Sequence, residues 1–406
     1  MESIIKSFTA IIMAVMTLMG LASTPYDEPI DKINGGDPYI YEDESGCYYT
    51  FTTGGGIDIF QIEAFDKINV SKQKTIFWAG ENGTDGDIWA PEIHYIGGNG
   101  LEKDIVAQHT NITYHQIPTV KLQRKLTLKN LLIPFKLFKA IRKAKQTLKQ
   151  IDADIIFSKG GFVAVPVCIA GKSLHLPIIS HESDLSLGLA NKIILRQCSV
   201  MCTSFEETAT HHSKCVYTGQ PIRSKIFHGK KLSLFENKKP CLLVLGGSLG
   251  AKFLNDIIFQ NLDAITKKFN IIHITGKNNF QKIVHKDYLP LPYAENIEDC
   301  YATADIVLAR AGSGVINELL ALEKPMLLAP LSKACSRGDQ IENAKLFEKL
   351  GFCKMIEEED YSFDKLQKML DYLCKNSSKI KEKMHNTAKN NAVENIVNII
   401  KTHLKT

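Results

Sequence analysis

Two hydrophobic patterns follow one another along the chain, and one gives way to the other near residue 97. From Tyr26 to about Trp89, apolar and polar residues alternate in short runs, for example Tyr48 to Thr52 and Ile57 to Ile62, among many Gly, Asp, Tyr and Thr. A period of two turns one face of a strand to a core and the other to water, so this stretch predicts antiparallel strands. Beyond Leu101, short apolar runs alternate with helical stretches: Ile155 to Ser158, Ile178 to Ser180, Leu242 to Leu245, Ile271 to Thr275 and Met326 to Ala329. Strands apolar on both faces and separated by helices predict parallel sheets covered by helices. The pattern occurs on both sides of a Lys-rich connector from about Ser224 to Pro240. That predicts two Rossmann-like lobes with a cleft between them and ligands at the carboxyl ends of the strands.

One helical stretch, Lys121 to Gln150, is unlike the others. Its apolar residues Leu131, Leu132, Phe135, Phe138 and Ile141 alternate with Lys129, Lys136, Lys139, Arg142 and Lys143. A basic amphipathic helix suits either the solvated edge of a domain or the surface of an anionic membrane. At the N-terminus, the apolar run Phe8 to Ala22 is too short to span a bilayer. Placed after Lys6 and before Ala22 and Ser23, it has the layout of a secretory signal, expected over residues 1–23.

Composition changes this picture only slightly. A chain of 406 residues has room for two domains, and a formal net charge of +5 is too mild to imply nucleic acid as a partner. The ten cysteines are scattered, and Cys198 and Cys202 lack the second pair that a structural zinc site needs. No metal motif is expected. The thiols read as reduced and mostly buried, which favours the cytosol and conflicts with the apparent signal.

The candidate chemistry lies in turns that follow apolar strands. Gly246-Gly247-Ser248-Leu249-Gly250-Ala251 stands between a strand and a helix beginning near Lys252. Glycines let the backbone approach an anion, and a helix start offers free N–H groups to a diphosphate. Taken alone, such a loop is as often a turn without a ligand. Arg310-Ala311-Gly312-Ser313-Gly314 forms a second glycine turn, and Asn317-Glu318 is expected to open a helix with Glu318 in its first turn. A carboxylate there can accept ribose hydroxyls or complement the helix dipole. Gly338-Asp339-Gln340-Ile341-Glu342-Asn343-Ala344 offers amides and carboxylates suited to sugar hydroxyls. Upstream, Ser158-Lys159-Gly160-Gly161-Phe162-Val163 and His181-Glu182-Ser183-Asp184 each follow an apolar strand.

In order and spacing these segments resemble the MurG family of peptidoglycan glycosyltransferases, from about Glu92 to the C-terminus. The resemblance implies a GT-B type α/β fold and transfer of N-acetylglucosamine from UDP-N-acetylglucosamine to lipid I, with no cofactor. Carried over residue by residue, it implies donor contacts from Gly247 and Ser248 to the diphosphate, Ile297 to the uracil, Glu318 to the ribose and Gln340 to the sugar. Arg223, Arg310, Gly312, Asp339 and Asp184 complete that site. Leu249 departs from the family's usual Gln, and Asp184 from its usual Asn. For the acceptor, the resemblance implies Lys159, Gly160 and Gly161 at the diphosphate, with His181 and Glu182 lining the cleft as the catalytic remnant. Leu131, Leu132, Phe135, Phe138 and Ile141 match its membrane-facing patch, implying peripheral attachment to anionic lipids on the cytoplasmic face of the inner membrane.

The family begins with a strand and a glycine-rich loop ending in histidine, and this chain enters the resemblance only at the following strand, Glu92 to Gly97. Before it, Gly36-Asp37-Pro38-Tyr39-Ile40, Gly46-Cys47-Tyr48-Tyr49 and Asp87 to His94 resemble the first propeller blade of a family 43 glycoside hydrolase, with Asp37 matching the general base. The expected organisation is therefore chimeric: a β-rich hydrolase-like fragment over 24–91, an incomplete acceptor lobe over 92–223 and a UDP-sugar-binding lobe over 224–406. Loss of the loop histidine implies impaired transfer, with a non-catalytic UDP-sugar binder or a secreted glycosidase fragment as alternatives.

Overall fold

The computed structural model describes residues 36–43, 46–53, 56–64, 67–78, 93–107, 112–119, 133–247, 250–333, 336–387 and 391–404. The signal-like segment lies outside them, as do Ser248, Leu131 and Leu132. The chain folds as two compact units, the first comprising Met1–Glu182, Leu187–Thr218 and Ala392–Thr406, the second Ser183–Ser186 and Gly219–Asn391.

The first unit opens with strands β1 (Gly36–Asp43), β2 (Gly46–Thr53), β3 (Gly56–Ala64) and β4 (Lys67–Trp78), which form an antiparallel meander in sequence order. The two alternating runs in the sequence fall inside β2 and β3. Next come β5 (Ile93–Gly97), α1 (Leu101–Val106) and β6 (Ile112–Gln116), the two strands pairing in parallel as a separate small sheet. Helix α2 (Ile133–Gln150) leads to β7 (Ile156–Ser158), α3 (Ala164–Ser173), β8 (Ile178–Glu182), α4 (Leu189–Leu195), β9 (Val200–Thr203), α5 (Glu206–Thr210) and β10 (Cys215–Tyr217). These four strands form a parallel sheet in the order β10-β9-β8-β7. Its core joins Ile156, Ile178 and Met201 to Ala144 and Leu148 of α2 and to Val165 and Cys168 of α3. Ile117 is buried in the same cluster and Ile96 of β5 packs against it, although β5 pairs with no strand of the larger sheet.

The second unit is a complete doubly wound sheet. Its elements are β11 (Cys241–Leu245), α6 (Lys252–Thr266), β12 (Asn270–Ile274), β13 (Tyr288–Leu291), α7 (Ile297–Thr303), β14 (Ile306–Ala309), α8 (Ser313–Ala321), β15 (Met326–Leu328), α9 (Asp339–Leu350), β16 (Cys353–Met355), α10 (Phe363–Lys375) and α11 (Ser377–Thr387). All six strands are parallel in the order β13-β12-β11-β14-β15-β16. Every residue of β11, β12 and β14 is buried, which is why these strands read as continuous apolar runs. Helix α10 shows the local logic of the covering layer. Ser362 accepts the Lys365 N–H at its start, and Leu366, Leu370 and Leu373, spaced four and three apart, form its buried stripe.

The observed boundaries depart from the expected ones in two ways. The division falls after Thr218, so Arg223 belongs to the second unit, as does the short segment Ser183–Ser186. Helix α12 (Ala392–His403) leaves the second unit and returns to the first, where Ile396, Val397 and Ile400 pack on Ile179 and Cys202. The reason is in its pattern: Ile396, Val397 and Ile400 make an apolar stripe that the backs of β8 and β9 cover. Of the cysteines described with their side chains, all eight are unbridged and seven are buried, and burial pushes the Cys168, Cys202 and Cys241 thiols up to about 12.

His273 in β12 is fully buried between Tyr288 Oη at 3.1 Å and Asn255 Oδ1 at 3.0 Å. Burial lowers its pKa to about 4. The folded state therefore keeps it neutral at pH values where the unfolded chain binds a proton, near 6.5 and below. Stability is undiminished by this group above pH 6.5 and falls as pH drops toward 4, by an amount approaching about 3 kcal/mol. Urea midpoints measured between pH 7 and 4.5 should decline more steeply for the parent chain than for His273→Gln, which does not titrate. Parallel pH curves would remove His273 as the cause.

Candidate active site

The glycine loop of the second unit is built as its sequence suggests. Gly247 and Gly250 have φ of +84° and +77°, and the Gly250 N–H donates to the Gly247 carbonyl at 3.0 Å. A Cβ at Gly250 would fall 2.0 Å from the Thr275 carbonyl oxygen, so only glycine lets β11 and β12 end this close together. A Cβ at Gly247 would meet nothing within 4 Å, which leaves open space beside the turn at the start of α6. Free space beside the turn, together with the positive end of α6, can hold a diphosphate.

Glu318 is held at both carboxylate oxygens. Its Oε1 accepts from Arg223 Nη2 at 2.9 Å and its Oε2 from Tyr301 Oη at 2.9 Å. Arg223 is 49% exposed and Glu318 15%, so water screens the ion pair from one side only. Burial, with the Glu318 charge beside it, raises the Tyr301 hydroxyl well above its ordinary pKa and keeps it a donor. The expected position of Glu318 in a first turn is corrected: α8 starts at Ser313 with Gly312 as its N-cap, which puts Glu318 in the second turn. The strand ends at Ala309, just before the turn, and the helix begins directly on the glycines at Ser313 instead of near Asn317. A dipole-complementing role for Glu318 is thereby removed, and orientation by Arg223 and Tyr301 takes its place. Tyr301 was missed in the sequence because it lies inside α7, a turn after Ile297, with nothing local to mark it. Ile297 itself is the half-buried first residue of α7.

Around the start of α9, polar groups converge. Gly338 is the helix N-cap with φ +89°. Gln340 Oε1 accepts from the Leu331 N–H at 3.1 Å, pinning the loop that follows β15. Asn343 is fully buried; its Oδ1 accepts from the Leu185 N–H at 3.1 Å and its Nδ2 donates to Asp184 Oδ1 at 3.3 Å. Asp184 Oδ2 lies 3.3 Å from Arg337 Nη2, and Asp339 lies 3.8 Å from Arg337 Nε. Arg337 was not singled out in the sequence, although it stands beside the Gly338-Asp339-Gln340 run. Arg310 is held by the Ala329 and Pro330 carbonyls at 3.0 and 3.2 Å and by Glu358 at 2.6 Å, over the ring of Phe253. So fixed, it braces the ends of β14 and β15.

In the first unit, Gly160 and Gly161 have φ of +83° and +85° between β7 and α3. A Cβ on Gly160 would sit 2.5 Å from Asn191 Oδ1, whereas one on Gly161 would meet nothing within 4 Å. Lys159 Nζ lies 2.8 Å from His181 Nδ1. His181 and Glu182 were expected to line an open cleft, and both are buried because β8 is covered along its whole length. Glu182 Oε2 accepts from the Gly188 N–H at 2.9 Å and from Asn191 Nδ2 at 2.8 Å, which fixes the start of α4. Much of the Lys159 side chain is open to water, but its ammonium end is crowded, and desolvation lowers its pKa to about 8 against the opposing pull of Glu182 and Cys202.

Helix α2 carries no acidic residue. Phe135 and Phe138 are 75% and 69% exposed. Ile141, expected in the same patch, instead packs against the lobe core, because it falls on the inward stripe with Ala144 and Leu148. One turn beyond the phenylalanines, Lys139, Arg142 and Lys143 line a cavity of about 700 Å³ together with Asn99, Gln116 and Thr119.

The desolvated Lys159 gives a direct test. Competitive acetylation followed by peptide mapping should give Lys159 a reactivity midpoint near pH 8, well below that of the other lysines. A midpoint above pH 10 would show that its ammonium is fully hydrated.

Comparison with known proteins agrees with this geometry. The family model described as the glycosyltransferase family 28 N-terminal domain matches residues 90–202, and that of the family 28 C-terminal domain matches residues 241–399. A relative from Clostridium botulinum (strain Loch Maree / Type A3) is 44% identical over 325 residues, covering 77% of this chain and 92% of the relative. One from Clostridium tetani (strain Massachusetts / E88) is 44% identical over 323 residues, covering 77% and 90%. Both are named UDP-N-acetylglucosamine–N-acetylmuramyl-(pentapeptide) pyrophosphoryl-undecaprenol N-acetylglucosamine transferase. Among solved structures, Acinetobacter baumannii MurG superposes with a TM-score of 0.61 at 25% identity, over 77% of this chain and 91% of that one. With relatives so similar over nearly their whole length, and with two α/β units of the expected kind, the chain belongs to the MurG family of glycosyltransferases.

Proposed function

We propose that this chain transfers N-acetylglucosamine from UDP-N-acetylglucosamine to lipid I, undecaprenyl-diphospho-N-acetylmuramyl pentapeptide, forming lipid II at the cytoplasmic face of the cell membrane. The observation that carries the proposal is the placement, at the carboxyl ends of β11, β14 and β15 of one lobe, of an open glycine turn, a doubly held carboxylate and a polar helix start. Gly247 and the N-terminus of α6 suit the donor diphosphate. Glu318, fixed by Arg223 and Tyr301, suits the ribose hydroxyls. Gln340 and Asp339 suit the sugar, and Ile297 the uracil. Arg310, Gly312 and Asp184 shape the loops around them.

In the reaction, the acceptor C4 hydroxyl attacks the anomeric carbon, UDP leaves with the bonding electrons, and the configuration inverts. The positive end of α6 stabilises the charge that develops on the departing diphosphate. The hydroxyl proton needs a base. Lys159 with His181 is the titratable pair brought together at the strand ends of the acceptor lobe, beside the open turn at Gly161. With the family's loop histidine absent, transfer is expected to be slow.

The experiment is transfer of labelled N-acetylglucosamine to lipid I by the purified chain, with calorimetric binding of UDP-N-acetylglucosamine on the same sample. Glu318→Ala removes hydrogen bonds to a charged group and should weaken donor binding by roughly tenfold to a hundredfold, leaving the fold intact. Unchanged binding would exclude Glu318 from the donor site. The meander β1–β4 has the architecture of a single propeller blade, which supports a fragment of a family 43 hydrolase joined near residue 92. Hydrolysis of an aryl glycoside without any UDP binding would favour that reading over the transferase.

The exposed phenylalanines of α2 and its unopposed cations suit an anionic bilayer, where a lipid-linked acceptor resides. Sedimentation with phosphatidylglycerol vesicles should recover the parent chain and lose most of the Phe135→Ser/Phe138→Ser double variant. Equal recovery would show that the face does not dock.

A further inference from the structure

Helix α2 buries one stripe and turns another toward a hollow. Ala140, Ala144 and Leu148 are buried. Lys139, Arg142, Lys143 and Gln146, three or four residues apart on a second face, line the cavity of about 700 Å³. At 1.5 Å per residue this row is about 10 Å long. Asn99 and residues 116–119 line the same cavity from the carboxyl ends of β5 and β6, the edge where parallel sheets take their ligands.

The chemistry of an occupant is set by this lining. None of the lining residues is acidic, and Lys139, Arg142 and Lys143 have no ion-pair partner among the described residues. Cations gathered around one hollow repel each other, and an anionic ligand relieves that. The carboxamides of Asn99, Gln116 and Gln146 each add an acceptor oxygen beside a donor NH2 group. A phosphate offers acceptors alone and would leave those oxygens unmet. A peptide offers N–H donors, carbonyl acceptors and carboxylates together.

The cavity also adjoins the glycine turn of the same unit. A Cβ on Gly98 would come 2.3 Å from Thr119 Cγ2, which lines the cavity, and 3.5 Å from Val163 Cγ2, which ends the turn over residues 158–163. We infer that the cavity holds the peptide of the acceptor, its carboxylates against Arg142 and Lys143 and its amides against Gln116 and Gln146; the inference rests on the transferase reading above. The pentapeptide is joined to muramic acid by its amino end, which leaves its carboxyl terminus free. Extended, five residues reach about 17 Å, longer than the row of cations. Each of these exposed cations adds little alone, because water screens it, so affinity comes from several pairs acting together.

The test uses the full chain and soluble N-acetylmuramyl pentapeptide, free of lipid, with binding followed by ligand-observed NMR. Saturable binding is expected, weakened about tenfold or more when the carboxylates of the peptide are converted to amides, a change that leaves the protein untouched. Arg142→Gln/Lys143→Gln should weaken binding of the natural peptide to the same extent and add nothing for the amidated one. Absence of binding, equal binding of the two peptides, or indifference of the natural one to the double substitution overturns the inference. So does saturable binding of glycerol phosphate or pyrophosphate, with that same dependence on Arg142 and Lys143, by a chain that leaves the peptide unbound: a lipid headgroup or a diphosphate is then the occupant. UDP-N-acetylglucosamine binding on the same sample reports on the donor site. A chain that takes up the donor and not the peptide loses the cavity's role alone, whereas loss of both removes the transferase reading too.

Discussion

A parallel strand in the middle of a doubly wound sheet must be apolar on both faces and hydrogen-bonded on both edges, and most of this architecture follows from how far each unit meets that demand. The second unit meets it completely. Its central strand has neighbours on either side, its buried runs are uninterrupted, and the turns at its carboxyl edge are held in place by carbonyl, carboxylate and guanidinium contacts. The first unit meets it in two pieces that share a core without sharing a ladder.

Within the second unit, order is achieved by pairing charges where burial is partial. Glu318 is oriented by one cation and one phenol, Asp184 and Asp339 by Arg337, and Arg310 by two carbonyls and Glu358. These contacts satisfy the carboxylates, while the buried Nε of Arg310 finds no partner. The side chains of the site are thus positioned by one another without a ligand, and preorganisation of that kind lowers the entropic cost of binding.

The parallel strands were legible because their apolar runs are short, bounded and repeated, and the glycine turns because positive φ leaves few alternatives to glycine. The order of those turns also foretold that Gly247, Glu318 and Gln340 would gather beyond the carboxyl ends of β11, β14 and β15. Four things escaped. Tyr301 and Arg337 act across space and carry no local signature. The helical position of Glu318 depended on where α8 starts within the glycine run, which periodicity does not resolve to a residue. The inward turn of Ile141 required knowing which stripe of α2 the core would take. Buried His181 and Glu182 belong with these, since a strand-end histidine looks the same in a sequence whether it faces water or packing.

The return of α12 to the first unit has a consequence for biogenesis. The stripe of Ile396, Val397 and Ile400 that covers Ile179 and Cys202 is synthesised only after the whole second unit. Until then the first unit, although synthesised earlier, keeps part of its sheet uncovered, while the second unit has every strand it needs once α11 emerges. The later half of the polypeptide is thus equipped to fold ahead of the earlier half, an inversion of the usual vectorial order. During that interval the nascent protein exposes an apolar sheet face to the chaperones and proteases that survey new chains.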